Sequence, residues 1–259
     1  LLEPAFGDGV FLDAAFNRFS ALGNDTPTVI GVELQPAVFS KYADSAPTSF
    51  AGCCKDFMEC SEKIAVSAVV GNPPYVRLRN LKAEDRARAI DRMAHYKIKM
   101  LSSGSLWMPF TIHASNMLAP NGRMAFVLPF EITYVKYSYP LWTYLGNNFG
   151  AVKIIRIHED FFPDVDVETV LLLADQYGAS THCVDFEIYD RVDDLLANNI
   201  SRRNKIKISD IVHRKKPFAF SMLSEKQRNM IEMLRKKKTI IPLIDLCKFN
   251  IGYICADKN

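Results

Sequence analysis

Between an apolar run and a basic stretch, residues 68–76 read "AVVGNPPYV". Two consecutive prolines, Pro73 and Pro74, remove two backbone donors and fix two φ angles, so the turn is stiff and its carbonyls lack nearby N–H partners. The side-chain amide of Asn72 stands before them and the ring of Tyr75 after them. Leaving a buried strand in this way is costly unless a ligand brings donors to the free acceptors.

A second group of residues can hold such a ligand. "LLEPAFGDGVFLDAAF", residues 1–16, is a strand end, a Gly-x-Gly turn and an amphipathic helix. Gly7 and Gly9 permit tight φ/ψ values and close approach, and the helix N-terminus offers free N–H groups. The next strand, "TVIGVE", ends in Glu33, where an acid is the usual acceptor for ribose hydroxyls. The third leads into "CCKDFM", placing Asp56 to accept from an adenine amino group and Phe57 to lie against the ring. Each carboxylate alone reads as a solvated loop acid. Three polar features at successive strand ends read together as the ligand edge of an open α/β sheet. There is no Gly-x-Gly-x-x-Gly, since Phe11 and Leu12 occupy that stretch, so an adenosine-bearing ligand without phosphates fits better than a dinucleotide.

The elements that must position these residues emerge from periodicity. β-branched runs at 28–33, 49–53, 66–70, 123–128, 152–157, 169–174 and 184–189 read as strands. Helical patterns cover 10–22, 36–43, 83–100, 106–118, 139–147 and 191–199. Strands separated by helices of this length predict βαβ units and a mostly parallel sheet. Pro120-Asn121-Gly122 is expected to end a helix just before a strand. Ser224 is a candidate N-cap for a further helix.

The chain has 259 residues, 49% of them hydrophobic, enough for one large domain and part of another. No apolar run reaches the ~20 residues of a membrane span. Six cysteines occur without a C-x-x-C pair, so they are expected to be reduced thiols, and no metal site is expected. The net charge of +3 decides nothing, but basic residues crowd positions 202–238 against only Asp210, Glu225 and Glu232. Such a block is a solvated linker, or a phosphate-contacting surface if the partner is DNA. Three regions are expected: a fold-bearing domain over 1–200, a basic connection over 201–238, and the start of another domain over 239–259. The chain starts inside a motif, at Leu1, and is expected to be a piece of a longer protein.

"LEPAFGDGVFL", "GVE", "KDF" and "GNPPYV", in this order and spacing, resemble the class I methyltransferases that use S-adenosyl-L-methionine. More narrowly they resemble the gamma group of DNA adenine-N6 methyltransferases from bacterial restriction–modification systems. The resemblance covers residues 1 to about 175. It implies a Rossmann-like fold with a seven-stranded sheet and helices on both faces, and a target-recognition domain beginning near residue 239. It implies that Glu3, Pro4, Phe6, Gly7 and Gly9 lie around the methionine part of the cofactor and that Glu33 holds the ribose. Asp56 and Phe57 would hold the adenine, and Asn72 would face the transferred methyl. Asn72, Pro73, Pro74 and Tyr75 would grip a flipped adenine in double-stranded DNA. In "HEDFFPDVDVETVLLL", Phe162, chosen for its place before Pro163 with Phe161 as the alternative, would touch that base. A restriction endonuclease module or specificity subunit is the further partner implied, in the cytoplasm of a bacterium or archaeon and away from membranes. Two departures stand out. "GSLWMPF" carries Ser105 and Trp107 where relatives have an acid before Leu-Tyr, and the segment that packs over the cofactor's methionine part is missing. Protein-glutamine N5 and ribosomal-RNA guanine-N2 methyltransferases share the Asn-Pro-Pro-Tyr chemistry. Arg77, Arg79, Arg86, Arg88 and Arg92 and the basic C-terminal region favour DNA over both, and the intact motif argues against a catalytically dead scaffold.

Overall fold

The structure, a computed structural model, describes residues 1–23, 27–101, 103–159, 167–213, 217–237, 241 and 246. The chain divides into two units, Leu1–Phe218 and Ala219–Asn259.

The first unit is built on one sheet. Its strands are β1 (Leu2–Glu3), β2 (Val29–Glu33), β3 (Phe50–Cys54), β4 (Val66–Gly71), β5 (Leu118–Pro129), β6 (Phe149–Ile157), β7 (Thr169–Tyr177), β8 (Cys183–Tyr189) and β9 (Arg202–Lys207). They lie in the order β3-β2-β1-β4-β5-β7-β6-β8-β9. Pairing is parallel from β3 through β5 and between β6 and β8. It is antiparallel where β7 inserts between β5 and β6 and where β9 closes the edge. The seven-stranded expectation is therefore corrected: the described sheet has nine strands, and a minority of the pairings are antiparallel.

Helices connect the strands: α1 (Val10–Ala21), α2 (Pro36–Ala43), α3 (Ala83–His95), α4 (Trp107–Ser115) and α5 (Tyr139–Asn148). Phe6, Leu12 and Val29 form a buried cluster between β2 and α1, against which Phe16, Phe39, Tyr42 and Phe50 pack. Every residue of α4 is buried, which explains why its sequence has no amphipathic stripe and why its polar residues Thr111 and Ser115 donate to backbone carbonyls within the helix. It lies on β5, α5 lies on β6, and α3 packs onto α4.

Several boundaries differ from the sequence reading for local reasons. Pro120-Asn121-Gly122 does not end a helix. Helix α4 stops at Ser115, and β5 already pairs with β4 at Leu118. The three residues then form an irregularity inside the strand, with Asn121 left-handed at φ 62° before pairing resumes at Arg123. Helix α3 ends at His95 rather than residue 100, and Lys97 is left-handed at φ 59°. After α6 (Val192–Leu196) the basic segment enters the sheet as β9, pairing along β8 from Lys207 to Arg202. Buried Glu187 accepts Lys153 Nζ at 3.0 Å, Arg203 Nε at 3.0 Å and the Tyr189 hydroxyl at 3.0 Å, tying β6, β8 and β9. Helix α7 (Ile208–Val212) comes next, and the chain continues through α8 (Pro217–Ser221). Residues 202–218 of the expected connection thus belong to the first unit.

In the second unit, α9 (Glu225–Lys236) starts with a capping box. Ser224 Oγ accepts from Gln227 N at 3.3 Å, and Gln227 Oε1 accepts from Ser224 N at 2.8 Å. The expected start of a recognition domain over 239–259 lies outside the described residues apart from 241 and 246.

The β1–α1 turn is held by backbone conformation. Gly9 caps α1 at φ 82°, and a Cβ there would sit 2.1 Å from the Tyr42 ring. Gly9→Ala should therefore destabilise the fold by at least about 1 kcal/mol. A lower urea midpoint at unchanged slope is expected, and an unchanged midpoint would contradict this packing.

Candidate active site

Parallel pairing fixes where the motifs meet. β1 lies between β2 and β4, with Leu2 opposite Ile30 on one side and Val69 on the other. All three strands run in one direction, so their carboxyl ends, the glycine turn, Glu33 and the Asn-Pro-Pro-Tyr turn, open on the same edge of the sheet. The strands are at ordinary packing distance here: a Cβ on Gly71 would lie 3.4 Å from Pro4 Cδ and 3.5 Å from Glu3 Cγ. Asn72 is the next residue.

The glycine turn is tied to β2 by Glu33. One carboxylate oxygen accepts the Gly7 N–H at 3.0 Å and the other the Gln35 N–H at 2.8 Å. Each oxygen keeps a second lone pair for a further donor. Gly7 is left-handed at φ 53°, and nothing lies within 4 Å of the place its Cβ would take, so the turn presents bare backbone. Glu3 is 1% exposed, and its Oε2 has no hydrogen-bond partner among the described residues. Burial, then the charges of Asp13 and Glu33, push the Glu3 carboxyl up to about 9. An acidic turn with an unpartnered buried oxygen suits a cationic group and repels a pyrophosphate.

On the neighbouring strand, Asn72 is exposed, and its side chain makes no hydrogen bond among the described residues; no donor there reaches the Asn72 or Pro73 carbonyls. Pro73 is buried and Pro74 half-buried. Tyr75 is anchored through its hydroxyl, which donates to the Val127 carbonyl at 3.1 Å. Burial pushes its phenol up, so Tyr75 stays neutral and offers a ring rather than a base. Beside it lies a 430 Å³ pocket whose walls include Arg77, Phe130, Glu131 and Tyr134.

Other expected residues are engaged with the protein. The Phe6 ring packs on Tyr42 and Phe50 at centroid distances of 5.3 and 5.8 Å. Phe57 is 2% exposed, with its ring against Phe110 and His113. Asp56 Oδ1 accepts the Met58 N–H at 2.9 Å and Oδ2 the Arg88 Nε–H at 2.9 Å. Arg88 also pairs with Asp85 and Glu59, and Arg92 with Glu62 and the Met58 and Cys60 carbonyls. With Arg77 paired to Glu131, three of the arginines read as favouring DNA are turned to protein partners instead. Phe162 and Phe161 lie outside the described residues.

The sequence reading overlooked a cluster behind Tyr75. Glu131, after β5, accepts from Arg77 Nη2 at 2.6 Å, from Trp107 Nε1 at 3.1 Å and from the Tyr137 hydroxyl. Ser105, where an acid was expected, is fully buried and donates to the Val76 carbonyl at 3.0 Å. It supports the turn rather than a ligand. The departure "GSLWMPF" was the available signal, since a tryptophan and a serine replacing an acid and a tyrosine change which groups can pair behind the turn. No group of three or more His, Cys, Asp or Glu among the described residues could hold a metal ion. No described helix is long and apolar enough to cross a membrane.

Glu3 generates a pH prediction. Its folded pKa is raised, so its contribution to stability is full below the unfolded value near 4.5 and is lost as pH rises toward 9. Glu3→Gln should therefore stabilise the protein at pH 8 by more than about 1 kcal/mol relative to wild type, with little difference at pH 4.5. Urea midpoints at the two pH values read this directly, and parallel pH profiles would contradict the burial of this carboxyl.

The family model described as Eco57I restriction-modification methylase matches residues 36–162. The type II methyltransferase M.BstVI of Geobacillus stearothermophilus is 26% identical over 61% of this chain and 33% of its own length. M.AccI of Acinetobacter calcoaceticus is 24% identical over 83% of this chain and 37% of its own. The chain thus spans about a third of the length of these curated relatives. Among solved structures, a type I restriction-modification methyltransferase subunit from Streptococcus thermophilus superposes with a TM-score of 0.61 at 14% identity, over 83% of this chain and 52% of that one. A protein described as a class I S-adenosylmethionine-dependent methyltransferase from Listeria monocytogenes gives 0.61 at 14%, over 82% and 62%. These two likenesses bear on the fold. The chain is similar to restriction–modification methyltransferases over part of their length and has the class I methyltransferase fold.

Proposed function

We propose that this chain is the catalytic part of a DNA methyltransferase that moves a methyl group from S-adenosyl-L-methionine to the N6 amine of an adenine flipped out of double-stranded DNA, as the modification arm of a restriction–modification system. The observation that carries the reading is the parallel pairing of β1 with β2 and β4, which brings the free acceptors of the 72–75 turn and the glycine turn to one edge of the sheet.

The residues present fit the cofactor. The unpartnered Glu3 oxygen suits a cationic ligand, the remaining Glu33 lone pairs suit ribose hydroxyls, and the bare Gly7 backbone leaves room for close approach. Pro4 and Gly9 complete the wall, Asn72 faces the transferable methyl without holding the cofactor, Phe6 holds the turn from behind, and Asp56 and Phe57 follow the third strand on the adenine side. When bound, the cofactor supplies a methyl group activated by a sulfonium.

The acceptor amine is a poor nucleophile because its lone pair is delocalised into the purine ring. The Asn72 side-chain oxygen and the Pro73 carbonyl accept its two hydrogens, draw the nitrogen toward sp³ geometry and aim its lone pair. They also stabilise the positive charge that develops on it. No strong base is required, because the methylated amine is acidic enough to lose its proton afterward. Tyr75, neutral and anchored at Val127, stacks on the base and recovers ~1–3 kcal/mol of the cost of extruding it. Pro73 and Pro74 keep the acceptors from drifting, and Phe162 is the second ring assigned to the base. An endonuclease module or specificity subunit is the partner consistent with relatives of this kind.

Asn72→Ala should lower methyl transfer by at least about 10²-fold while cofactor affinity stays within about twofold. Equal loss of both would remove Asn72 from the acceptor role. The reading as a whole is tested by incubating the full-length protein with labelled cofactor and mixed DNA and analysing the nucleosides. Label in N6-methyladenine is expected, and label in another base or in protein glutamine would overturn it.

A further inference from the structure

We propose that Arg77, locked by Glu131, is a positioning residue that sets the orientation of the 72–75 turn for methyl transfer. This rests on reading that turn as the acceptor of the target amine. Two prolines fix φ within the turn but not the direction in which it points, and the Asn72 and Pro73 carbonyls make no hydrogen bonds among the described residues. The turn is held on its near side by β4, which pairs with β5 up to Gly71, and at Tyr75 by the bond to Val127; the residues beyond Tyr75 hold its far side. The Val76 carbonyl accepts from Leu106 N at 2.8 Å and Ser105 Oγ at 3.0 Å, and Leu78 N donates to the Gly104 carbonyl at 2.9 Å. These bonds fasten the backbone beyond the turn but leave its side-chain face free.

Arg77 supplies that face. Its Nη2 meets Glu131 at 2.6 Å, its Nη1 meets the Tyr137 hydroxyl at 2.7 Å, and its guanidinium carbon stands 5.3 Å from the Tyr137 ring centroid. Tyr137 and Trp107 donate to the same carboxylate. Residues after β4, at the start of α4 and after β5 therefore converge on the Glu131 carboxylate, and one of them, Arg77, stands two positions beyond Tyr75. Arg77 and Glu131 are also walls of the pocket beside Tyr75. The planar fork fixes direction in a way a single ammonium cannot. The side chains are 37% exposed for Arg77 and 15% for Glu131, so removing the carboxylate's charge takes the only ionic partner from the guanidinium among the described residues and leaves it the Tyr137 hydroxyl and the Ser103 carbonyl.

The test uses full-length protein with Arg77→Lys, Glu131→Gln and the double variant, measured by single-turnover transfer to DNA. Each single variant should lower the transfer rate by about 10- to 100-fold, the loss expected from a displacement of roughly 1 Å at the reacting atoms. The affinities for S-adenosylmethionine and DNA should stay within about twofold. The double variant should fall no further than the worse single, because both remove one coupling. Should either variant melt early, Tyr137→Phe, which deletes only a hydroxyl, should still slow transfer several-fold with unchanged cofactor affinity. Unchanged rates in all variants, or rates that fall in step with cofactor affinity, would overturn the inference while wild type remains active. A wild type that transfers no methyl to DNA would overturn the parent reading and this inference together.

Discussion

Parallel pairing of β1 between β2 and β4 is the constraint on which the remainder of the site depends. β1 is only two residues long, yet it brings three strand ends to one edge. Its short length is compensated by Glu33, whose carboxylate reaches across to the Gly7 N–H and back to Gln35. The glycine turn is thus pinned by a group that retains lone pairs for a ligand. At Gly71 β4 runs beside Pro4 and Glu3 before the chain turns away through the two prolines.

The two halves of the site differ in electrostatic character. Around the glycine turn the carboxyls of Glu3, Asp13 and Glu33 stand close enough to raise the cost of ionising Glu3. That arrangement favours a cation and disfavours phosphates. At the 72–75 turn the groups are neutral acceptors, Asn72 and the Pro73 carbonyl, with the neutral Tyr75 ring beyond. A cationic group on the first side and a neutral hydrogen-bond donor on the second are the complementary partners. Behind the turn, the charge pair of Arg77 and Glu131 is satisfied by Tyr137 and Trp107, so neither member competes for the acceptors.

Much of this was legible in residue types. Glycine spacing, the acid ending "TVIGVE" and the double proline each announce a backbone property, and strand periodicity placed them on one edge. What escaped was decided by partners distant in sequence. Phe57 reads the same whether it faces a ligand or the core, and Phe110 and His113, which enclose its ring, lie on α4. The arginines after Val76 look like a basic surface until Asp56, Glu62 and Glu131 are brought to them by folding. β9, "RRNKIK", lacks the apolar alternation of a strand because it sits at the sheet edge, where only Ile206 is buried and charged residues suit an exposed border. Asn121 bends a strand with the turn chemistry that elsewhere ends a helix.

The most direct measurement is a crystal structure of the full-length protein with S-adenosylmethionine bound. The ribose should lie at Glu33, the cationic end of the ligand beside Glu3 and the bare backbone of Gly7, and the transferable methyl should face the Asn72 side chain. A ligand bound away from the glycine turn, or an Asn72 amide directed away from the methyl, would contradict the account.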